Sequence, residues 1–370
     1  PIPLVVLIVP RRNQGPIVAL DLGAGTALSV QYTGFSGTRE LEAFFIWNRA
    51  RNLNDFIRGL QLFDFGSQNW AYADISGNIA YFTSGELPLR EDLQAGTVNG
   101  LPPFFIRDGT GGNEWLPVSS PQPGQAVPFE ILPFEEMPQI INPPAGFFVN
   151  ANNDPVGTTL DNNPLNQLRP GGGIFYLNPG YASIRAGRIT EMIRQRLASG
   201  SGKISFADMQ AMQADVVLLD AQVLVPFIQQ AFGNAESGGA HPALAAFTLD
   251  LRVVEAVGRL AAWDFSTPTG IPEGYDASDQ DGLLFPPTGS EINSSVAATI
   301  YSTWRSRVIG NTIDLVVDSL GLPRPGSIQT MSALRRLLDS FDSNQGIGAS
   351  GLNFFNVPGV ADPATRRDIT

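Results

Sequence analysis

An apolar run joined to a cluster of carboxamides lies in the stretch Leu132-Pro-Phe-Glu-Glu-Met-Pro-Gln-Ile-Ile-Asn-Pro-Pro-Ala-Gly-Phe-Phe-Val-Asn-Ala-Asn-Asn-Asp-Pro155. Residues 147–149 predict a strand, and Asn150, Asn152 and Asn153 follow where that strand would stop. Asparagine at such a position either forms a turn with its own backbone or presents a neutral hydrogen-bond donor at the rim of a sheet. The cluster is therefore either turn chemistry alone or a donor that stabilises an oxyanion.

Composition excludes several kinds of site and partner. The 370 residues include no cysteine, which excludes thiolate nucleophiles and thiolate metal sites from this sequence. A catalytic triad or a histidine-rich metal site would depend on the one histidine, His241, which lies in a loop before Pro242. The formal net charge of −12 argues against nucleic acid and against an acidic membrane surface as partners. The apolar run at residues 1–10 is too short to span a bilayer, which needs about 20 residues.

The first half of the chain reads as strands, helices and long loops. Strands are predicted at residues 4–9, 16–20 and 27–33, and a helical period with a break near residue 52 follows from Thr38 to Leu60. The arms at 69–74 and 79–83 flank the turn Ile75-Ser-Gly-Asn78, which predicts a β-hairpin. Residues 86–131 show no sustained period and are interpreted as a long surface loop that is functional or wraps the domain.

From about residue 180 the pattern becomes helical. Helices are predicted at residues 182–198, 205–232, 242–263, 290–320 and 327–340, with a kink or division of the second at Pro226. Residues 351–357 predict a returning strand. We therefore expect an α+β fold with a sheet-containing part at 1–180, a mostly helical region at 181–345 and a truncated returning strand within 346–370.

Charged side chains add further candidates. Arg185 and Arg188 share one face of a predicted helix, where they could form a salt-bridged surface, orient an amide donor or bind a substrate carboxylate. The carboxylates of the region, from Glu130 to Asp161, have no EF-hand spacing. A glycosidase would need two carboxylates in one cleft, and no pair is singled out by the sequence.

Several motifs in order resemble the penicillin acylases (penicillin amidases) of the N-terminal nucleophile hydrolase superfamily. The hairpin Gln68-Asn-Trp-Ala-Tyr-Ala-Asp-Ile-Ser-Gly-Asn-Ile-Ala-Tyr81 is the most diagnostic of them. The others are Arg12-Asn-Gln-Gly-Pro-Ile-Val18, Ala43-Phe-Phe-Ile-Trp-Asn-Arg-Ala50, Leu132-Pro-Phe-Glu-Glu-Met-Pro138 and residues 147–153, with helical segments at 260–264 and 297–304.

The resemblance implies a partial αββα four-layer sandwich with a large helical region. It implies an amide-bond hydrolase that releases a hydrophobic acyl group from a small-molecule amide of the β-lactam or acyl-homoserine-lactone type. In this family an N-terminal serine is the nucleophile and its own α-amine is the base. By resemblance Asn152 donates to the oxyanion and Arg188 is the active-site arginine. A structural calcium ion would use the Pro103 carbonyl and Asp161, and the location would be periplasmic or secreted.

The sequence also departs from the family pattern. Gln14 stands where the family commonly has histidine, and no Ser-Asn-Asn-Trp motif occurs in the chain. The chain begins with Pro1 inside a predicted strand and stops before the final strands of the family. We therefore expect an internal fragment of the β chain, inactive without the preceding segments of its precursor. The alternative is a non-catalytic relative or binding module that kept the fold.

Overall fold

The computed structural model describes residues 15–161, 163–181, 184–199, 202–268 and 287–370. The chain divides into two compact units, Pro1–Tyr181 and Ala182–Thr370, at the point where the sequence pattern turns helical. The elements are both helical and stranded, and the predicted α+β class is confirmed. The strand predicted at 4–9 lies outside the described residues.

Unit 1 begins with two short strands and two helices. Strands β1 (Ile17–Asp21) and β2 (Thr26–Ser29) form an antiparallel pair. Helices α1 (Glu40–Trp47) and α2 (Leu53–Leu60) are separate because Asn52 caps the second, its Oδ1 accepting the Asp55 N–H at 2.9 Å. The predicted break is thus confirmed, whereas Thr38 is no N-cap: its hydroxyl donates to the Glu40 carboxylate at 2.7 Å.

The hairpin is the central element of unit 1. Strand β3 (Gln68–Ala73) pairs antiparallel with β4 (Ile79–Ser84), and β5 (Gln139–Ile141) pairs with the other edge of β4. Side chains alternate between the two faces of such a sheet. One face packs on α1 and α2 through apolar and aromatic side chains, namely Trp70, Tyr72, Ala80 and Phe82 against Leu60, Trp47 and Phe56. Asn69, Tyr81 and Thr83 therefore lie on the opposite face.

The segment 86–131, predicted as a long surface loop, is mostly irregular and is anchored in the unit at several points. It contains the short helix α3 (Glu91–Gln94), and isolated bridges join Pro88 to Ile131, Arg90 to Trp115 and Pro117 to Phe129. Leu93, Trp115, Val127 and Ile131 are buried. These apolar residues are anchored one at a time, without a helical or strand period that a sequence pattern can show.

Unit 2 is built from helices. Its first six are α4 (Arg185–Ala198), α5 (Phe206–Gln213), α6 (Leu219–Ala235), α7 (Pro242–Ala245), α8 (Leu251–Ala261) and α9 (Gly289–Ile309). A π-helical turn (Gly310–Asp314) leads into α10 (Leu315–Ser319), followed by α11 (Ser327–Asp339), α12 (Phe341–Asn344) and α13 (Pro363–Ile369). No described helix is long and apolar enough to cross a membrane.

Three predictions for unit 2 are wrong, and the first is the helix at 242–263, which is divided into α7 and α8 with Asp250 as the N-cap of α8. The helix predicted at 205–232 divides at 214–218, where Leu218 N–H donates to the Phe265 carbonyl, and it continues through Pro226. The strand predicted at 351–357 is reduced to an isolated antiparallel bridge between Ile347 and Asn353, and the Phe355 N–H donates to the Asn353 side chain instead of to a partner strand. Phe355 is instead buried in the helical core beside Phe341.

Candidate functional site

The apolar run at 147–149 does not form the predicted strand. Strand β4 is already paired on both edges, by β3 and by β5, so no edge of β4 remains for a further strand. The run instead packs beside the hairpin, with the Phe148 ring 5.9 Å from the Tyr81 ring. It still delivers the asparagine cluster to the polar face of the sheet.

Part of the cluster is turn chemistry. The Asp154 carboxylate accepts hydrogen bonds from the N–H groups of Val156, Gly157 and Thr159 at 2.7–3.1 Å, and from the Thr159 hydroxyl at 2.8 Å. Burial acts to raise the pKa of Asp154, but these hydrogen bonds outweigh it and the pKa lies below its ordinary value. Asn153 also closes a turn, since its Oδ1 accepts the Ala151 N–H at 2.9 Å.

Asn152 lies at an exposed, left-handed backbone position. Its φ is +60°, a conformation that asparagine tolerates better than most residues other than glycine. Its N–H donates to Asn150 Oδ1 at 3.5 Å. Residues in uncommon backbone conformations often occur at functional sites, because the surrounding structure must hold them there.

Asn150 connects the cluster to the hairpin. It is half-buried, and its Nδ2 donates to the Tyr81 hydroxyl at 3.5 Å. That hydroxyl donates to Asn69 Oδ1 at 2.5 Å and lies 2.8 Å from the Thr83 hydroxyl. Burial raises the pKa of Tyr81 above its ordinary value, so the phenol is neutral. A hydrogen-bonded chain therefore runs from the hairpin into the asparagine cluster.

The sequence prediction missed Tyr81, Asn69 and Thr83 as members of the site. The signal that could have found them was the period of the hairpin. Side chains alternate between the two faces along a strand. Because Trp70 and Tyr72 lie on the core face, Asn69 and Ala71 must face the other way. Polar side chains at Asn69 and Thr83, which are register partners, are the mark of that second face.

Arg188, on α4, is held by two carboxylates. Its Nε and Nη2 bind Asp215 in a fork at 2.9 and 2.7 Å, and its Nη1 lies 3.0 Å from Glu191. These contacts raise the pKa of the Arg188 guanidinium above its ordinary value, and the same fork lowers the pKa of Asp215. Arg185, the alternative arginine, is exposed. The role of Asp215 as the partner of Arg188 was not predicted, because Asp215 lies in the break between α5 and α6, where the sequence predicted one continuous helix.

The structure thus places the predicted catalytic residues in different units, Asn152 in unit 1 and Arg188 in unit 2. Unit 1 also contains Tyr181, which follows the cluster in the chain. Burial raises the pKa of Tyr181 to about 12, and the charge of Asp154 adds to this rise. The neighbourhood of the asparagine cluster in unit 1 is therefore made of neutral phenols and amides around one ionised carboxylate.

The residues predicted to bind calcium, Pro103 and Asp161, are both described by the structure. The Asp161 carboxylate accepts hydrogen bonds from the Asn163 N–H and the Asn166 amide, and Pro103 would offer only its carbonyl. Within the described ranges no group of three or more His, Cys, Asp or Glu side chains could hold a metal ion. Calcium prefers six to eight oxygen ligands, so the calcium ion stays a prediction that depends on other ligands.

Comparisons with known proteins agree on one family. A family model described as penicillin amidase matches residues 4–367. Penicillin G acylase of Escherichia coli is 37% identical over 87 residues, which make up 24% of this chain and 8% of that protein. The solved structure of a thermostable penicillin G acylase from Alcaligenes faecalis matches with a TM-score of 0.58 and 20% sequence identity.

That structural match covers 97% of this chain and 55% of the Alcaligenes faecalis chain. The chain therefore spans about half the length of that relative. At 20% identity the match shows the fold, and it confirms the predicted fold class. Since the family model matches nearly the whole sequence, the chain belongs to the penicillin amidase family.

Proposed function

We propose that this chain forms the oxyanion-stabilising part of an acylase, an enzyme that hydrolyses the amide of a hydrophobic acyl group. The observation that carries the proposal is the asparagine cluster, held against the polar face of the hairpin in a chain of the penicillin amidase family. The nucleophile is an N-terminal serine of the parent protein. The substrate class is an amide of the β-lactam or acyl-homoserine-lactone type.

The proposed chemistry needs no imidazole. The serine hydroxyl attacks the amide carbonyl while the serine α-amine takes its proton and later transfers it to the leaving amine. Negative charge develops on the carbonyl oxygen, where a preorganised carboxamide N–H can stabilise it without titrating. A chain with a single histidine, His241, can therefore serve an amidase.

Two asparagines compete for the role of donor. The family resemblance assigns it to Asn152. Asn150 is the alternative, because its half-buried carboxamide lies 3.5 Å from the Tyr81 hydroxyl and 3.5 Å from the Asn152 nitrogen. A donor is most effective where water is excluded and its orientation is fixed before the reaction.

Arg188 is proposed to act by its charge and its fixed orientation. Its fork to Asp215 occupies Nε and Nη2. Nη1 contacts Glu191, whose side chain is 39% exposed, so this partner is the more easily exchanged for a substrate carboxylate. Replacing Arg188 by lysine would keep the charge and lose the fork.

The test uses the enzyme that contains these residues and a series of chromogenic amides with apolar acyl groups. Alanine at the true donor should lower kcat about 100- to 1,000-fold. Alanine at the other asparagine should change kcat by less than about threefold, and Asn54→Ala, at an exposed position of α2, serves as a control outside the cluster. Full activity in both the Asn150→Ala and Asn152→Ala variants contradicts the proposal.

Two further measurements distinguish an acylase from a non-catalytic binding module. The 370 residues alone should turn over no amide, and turnover that is lost in an asparagine variant would show that no additional segment is needed. If the parent protein binds the same amides without hydrolysing them, the binding module is the correct reading. An intact enzyme and a binding module are thus distinguished by product formation.

A further inference from the structure

Arg90 is a half-buried arginine of unit 1 that has no carboxylate partner among the described residues. Its guanidinium carbon lies 5.3 Å from the centre of the Tyr176 ring, and its side chain makes no hydrogen bond within the described part of the chain. Burial lowers the pKa of Arg90 below its ordinary value, whereas carboxylate partners raise the pKa of Arg188. Because buried charges are normally paired, the surroundings of Arg90 favour the addition of an anion.

The Tyr176 hydroxyl is a second polar group that makes no hydrogen bond to any described residue. Burial raises the pKa of Tyr176, so the phenol is neutral near pH 7 and keeps its O–H donor. Neither this oxygen nor the nitrogens of the Arg90 guanidinium are among the unpaired polar atoms that are closed off from solvent. Both groups can therefore donate to a ligand that enters from solvent.

The charged groups around Arg90 leave an excess of positive charge. Arg107 and Asp92 both act on Arg90, the first lowering its pKa and the second raising it. The Asp92 carboxylate is already bound by Arg107, whose Nη1 donates to Oδ1 at 3.3 Å and whose Nη2 donates to Oδ2. Glu91, the adjacent carboxylate in the sequence, accepts a backbone N–H at 3.1 Å. Among the described residues, the two guanidinium groups thus share the carboxylate of Asp92, and the remaining positive charge attracts a further anion.

Two partly exposed phenylalanines extend the aromatic surface beside Tyr176. The Phe104 ring lies 6.4 Å from the Tyr176 ring and 5.0 Å from the Phe105 ring. Phe104 is 38% exposed and Phe105 is 57% exposed, so a ligand that covers them would remove apolar surface from water. The backbone of Arg90 is anchored by its bridge to the buried Trp115. A cation, a phenol donor and an apolar surface are therefore held together around Tyr176.

We propose that Arg90 and Tyr176 form a binding site for a carboxylate that carries an apolar, preferably aromatic, group. The planar guanidinium offers pairs of N–H donors that match the two oxygens of a carboxylate, and the Tyr176 hydroxyl adds a further donor. The exposed rings of Phe104 and Phe105 would contact the apolar part of the ligand. The carboxylate can belong to a free acid or to a side chain from another part of the protein that contains this chain. Binding at this site requires no step of the proposed amide hydrolysis.

The first experiment titrates the protein that contains this chain with sodium benzoate and follows the heat of binding. Arg90→Met should weaken benzoate binding at least about tenfold, because a charge-assisted hydrogen bond is lost. Tyr176→Phe keeps the ring and should weaken binding about three- to tenfold. Benzamide, which has the same ring without the charge, should show no binding that depends on Arg90. Unchanged benzoate affinity in Tyr176→Phe would contradict the role of the hydroxyl.

The matched control is Arg49→Met. The Arg49 guanidinium carbon lies 3.8 Å from the centre of the Phe45 ring, so it too is a cation beside an aromatic ring. Arg49 is exposed, however, and its charge remains solvated by water. Arg49→Met should therefore leave the affinity for benzoate unchanged. An equal loss of affinity in Arg49→Met and Arg90→Met would show a general effect of net charge and would contradict a site at Arg90.

The second experiment identifies the source of the carboxylate by urea denaturation of the same protein without added acid. If the ligand is a free acid, Arg90→Met should leave the midpoint of denaturation unchanged or raise it, because the guanidinium loses no partner. A lower midpoint in Arg90→Met that Arg90→Lys restores, with benzoate affinity unchanged, shows that a carboxylate side chain from another part of the protein fills the site. Unchanged benzoate affinity together with an unchanged midpoint in Arg90→Met overturns the proposal.

Discussion

Unit 1 and unit 2 are similar in length but are stabilised in different ways. Among its described residues, unit 2 has one large apolar cluster, in which buried side chains from α6, α8, α9 and α11 pack together with Phe341 and Phe355. The buried apolar residues of unit 1 form smaller separate clusters, one on the hairpin and one around Leu132 and Met137.

Unit 1 compensates with buried charge pairs. Arg39 pairs with Asp64, Arg107 with Asp92, and Arg169 with Glu136, and the two aspartate side chains have no exposed surface. A buried pair stabilises a fold only while both partners are present, since removal of one leaves a charge without compensation. Specific polar contacts therefore stabilise unit 1. Contacts of the same kind hold the polar side chains of the asparagine cluster.

The largest expected effect tests the charge pairs of unit 1. Arg107→Met should lower the free energy of unfolding by about 3 to 5 kcal/mol, because Asp92, 1% exposed, loses its guanidinium partner. Urea denaturation gives the loss, and hydrogen exchange should place it in unit 1. Arg58→Met breaks the exposed pair with Asp55 and should cost about 0.5 kcal/mol. Equal losses in the two variants would contradict the claim that the buried charge pairs of unit 1 contribute more to stability than its exposed ones.

The second test addresses the apolar core of unit 2. Leu334→Ala, at a residue with 0% exposure, should lower the free energy of unfolding by about 3 kcal/mol through a cavity among helices. The control Leu322→Ala, at an exposed leucine, should change it by less than about 0.5 kcal/mol. Hydrogen exchange that rises in unit 1 instead of unit 2 would contradict the assignment of this core to unit 2 alone.

The third test concerns one of the buried polar clusters of unit 2. Tyr301 donates to Asp220 Oδ2 at 2.9 Å, and Arg305 contacts the same oxygen at 2.8 Å. Tyr301→Phe should lower the free energy of unfolding by about 1 to 2 kcal/mol, because a buried carboxylate loses a donor. A double-mutant cycle with Asp220→Asn measures the coupling. A coupling of zero would mean that the ring packing, not the hydroxyl, accounts for the loss.

The test with the smallest expected effect uses pH. Lowering the pH should increase the stability that Glu86 contributes in unit 1 and decrease the stability that Asp215 contributes in unit 2. In unit 1, burial raises the pKa of Glu86, although the N–H groups of Val127 and Ala126 donate to its carboxylate. The folded protein therefore binds this proton more tightly than the unfolded chain, so wild type gains stability relative to Glu86→Gln as pH falls toward the ordinary value of 4.5.

In unit 2 the fork to Arg188 lowers the pKa of Asp215. The stability from this carboxylate is fully present above its ordinary pKa of 3.8 and is lost as pH falls below that value. Wild type should therefore lose its advantage over Asp215→Asn in the same titration. Unfolding midpoints between pH 7 and 3 measure both differences. If both differences in stability change in the same direction with pH, burial does not outweigh the hydrogen bonds in setting the pKa of Glu86.

Local signals in the sequence were sufficient for several elements. The hairpin arms were predicted within one residue of β3 and β4, because the turn Ile75-Ser-Gly-Asn78 and the aromatic residues on both arms act over short distances. The break before α2 was predicted from Asn52, whose side chain caps the helix directly. A capping box of Ser205 and Asp208 begins α5 at the residue where the sequence pattern predicted a helix start.

Elements that depend on distant partners were not predicted. The division at 214–218 exists because Val217 pairs with Ser266, and nothing within 205–232 shows that partner. The run at 147–149 has the apolar character of a strand, but β5 already occupies the edge of β4. In each case a local preference was overruled by which neighbour was available.

By itself the sequence determined the alternation that gives the hairpin an apolar face and a polar face, the helix ends marked by capping residues, and a chemistry without thiol and with one imidazole. Only the tertiary structure decided which polar groups meet. Tyr81 and Asn150 are 69 residues apart, and Arg188 and Asp215 are 27 apart. Hydrogen bonds are short and directional, so such partners are selected by the folded backbone and not by the spacing of residues along the chain.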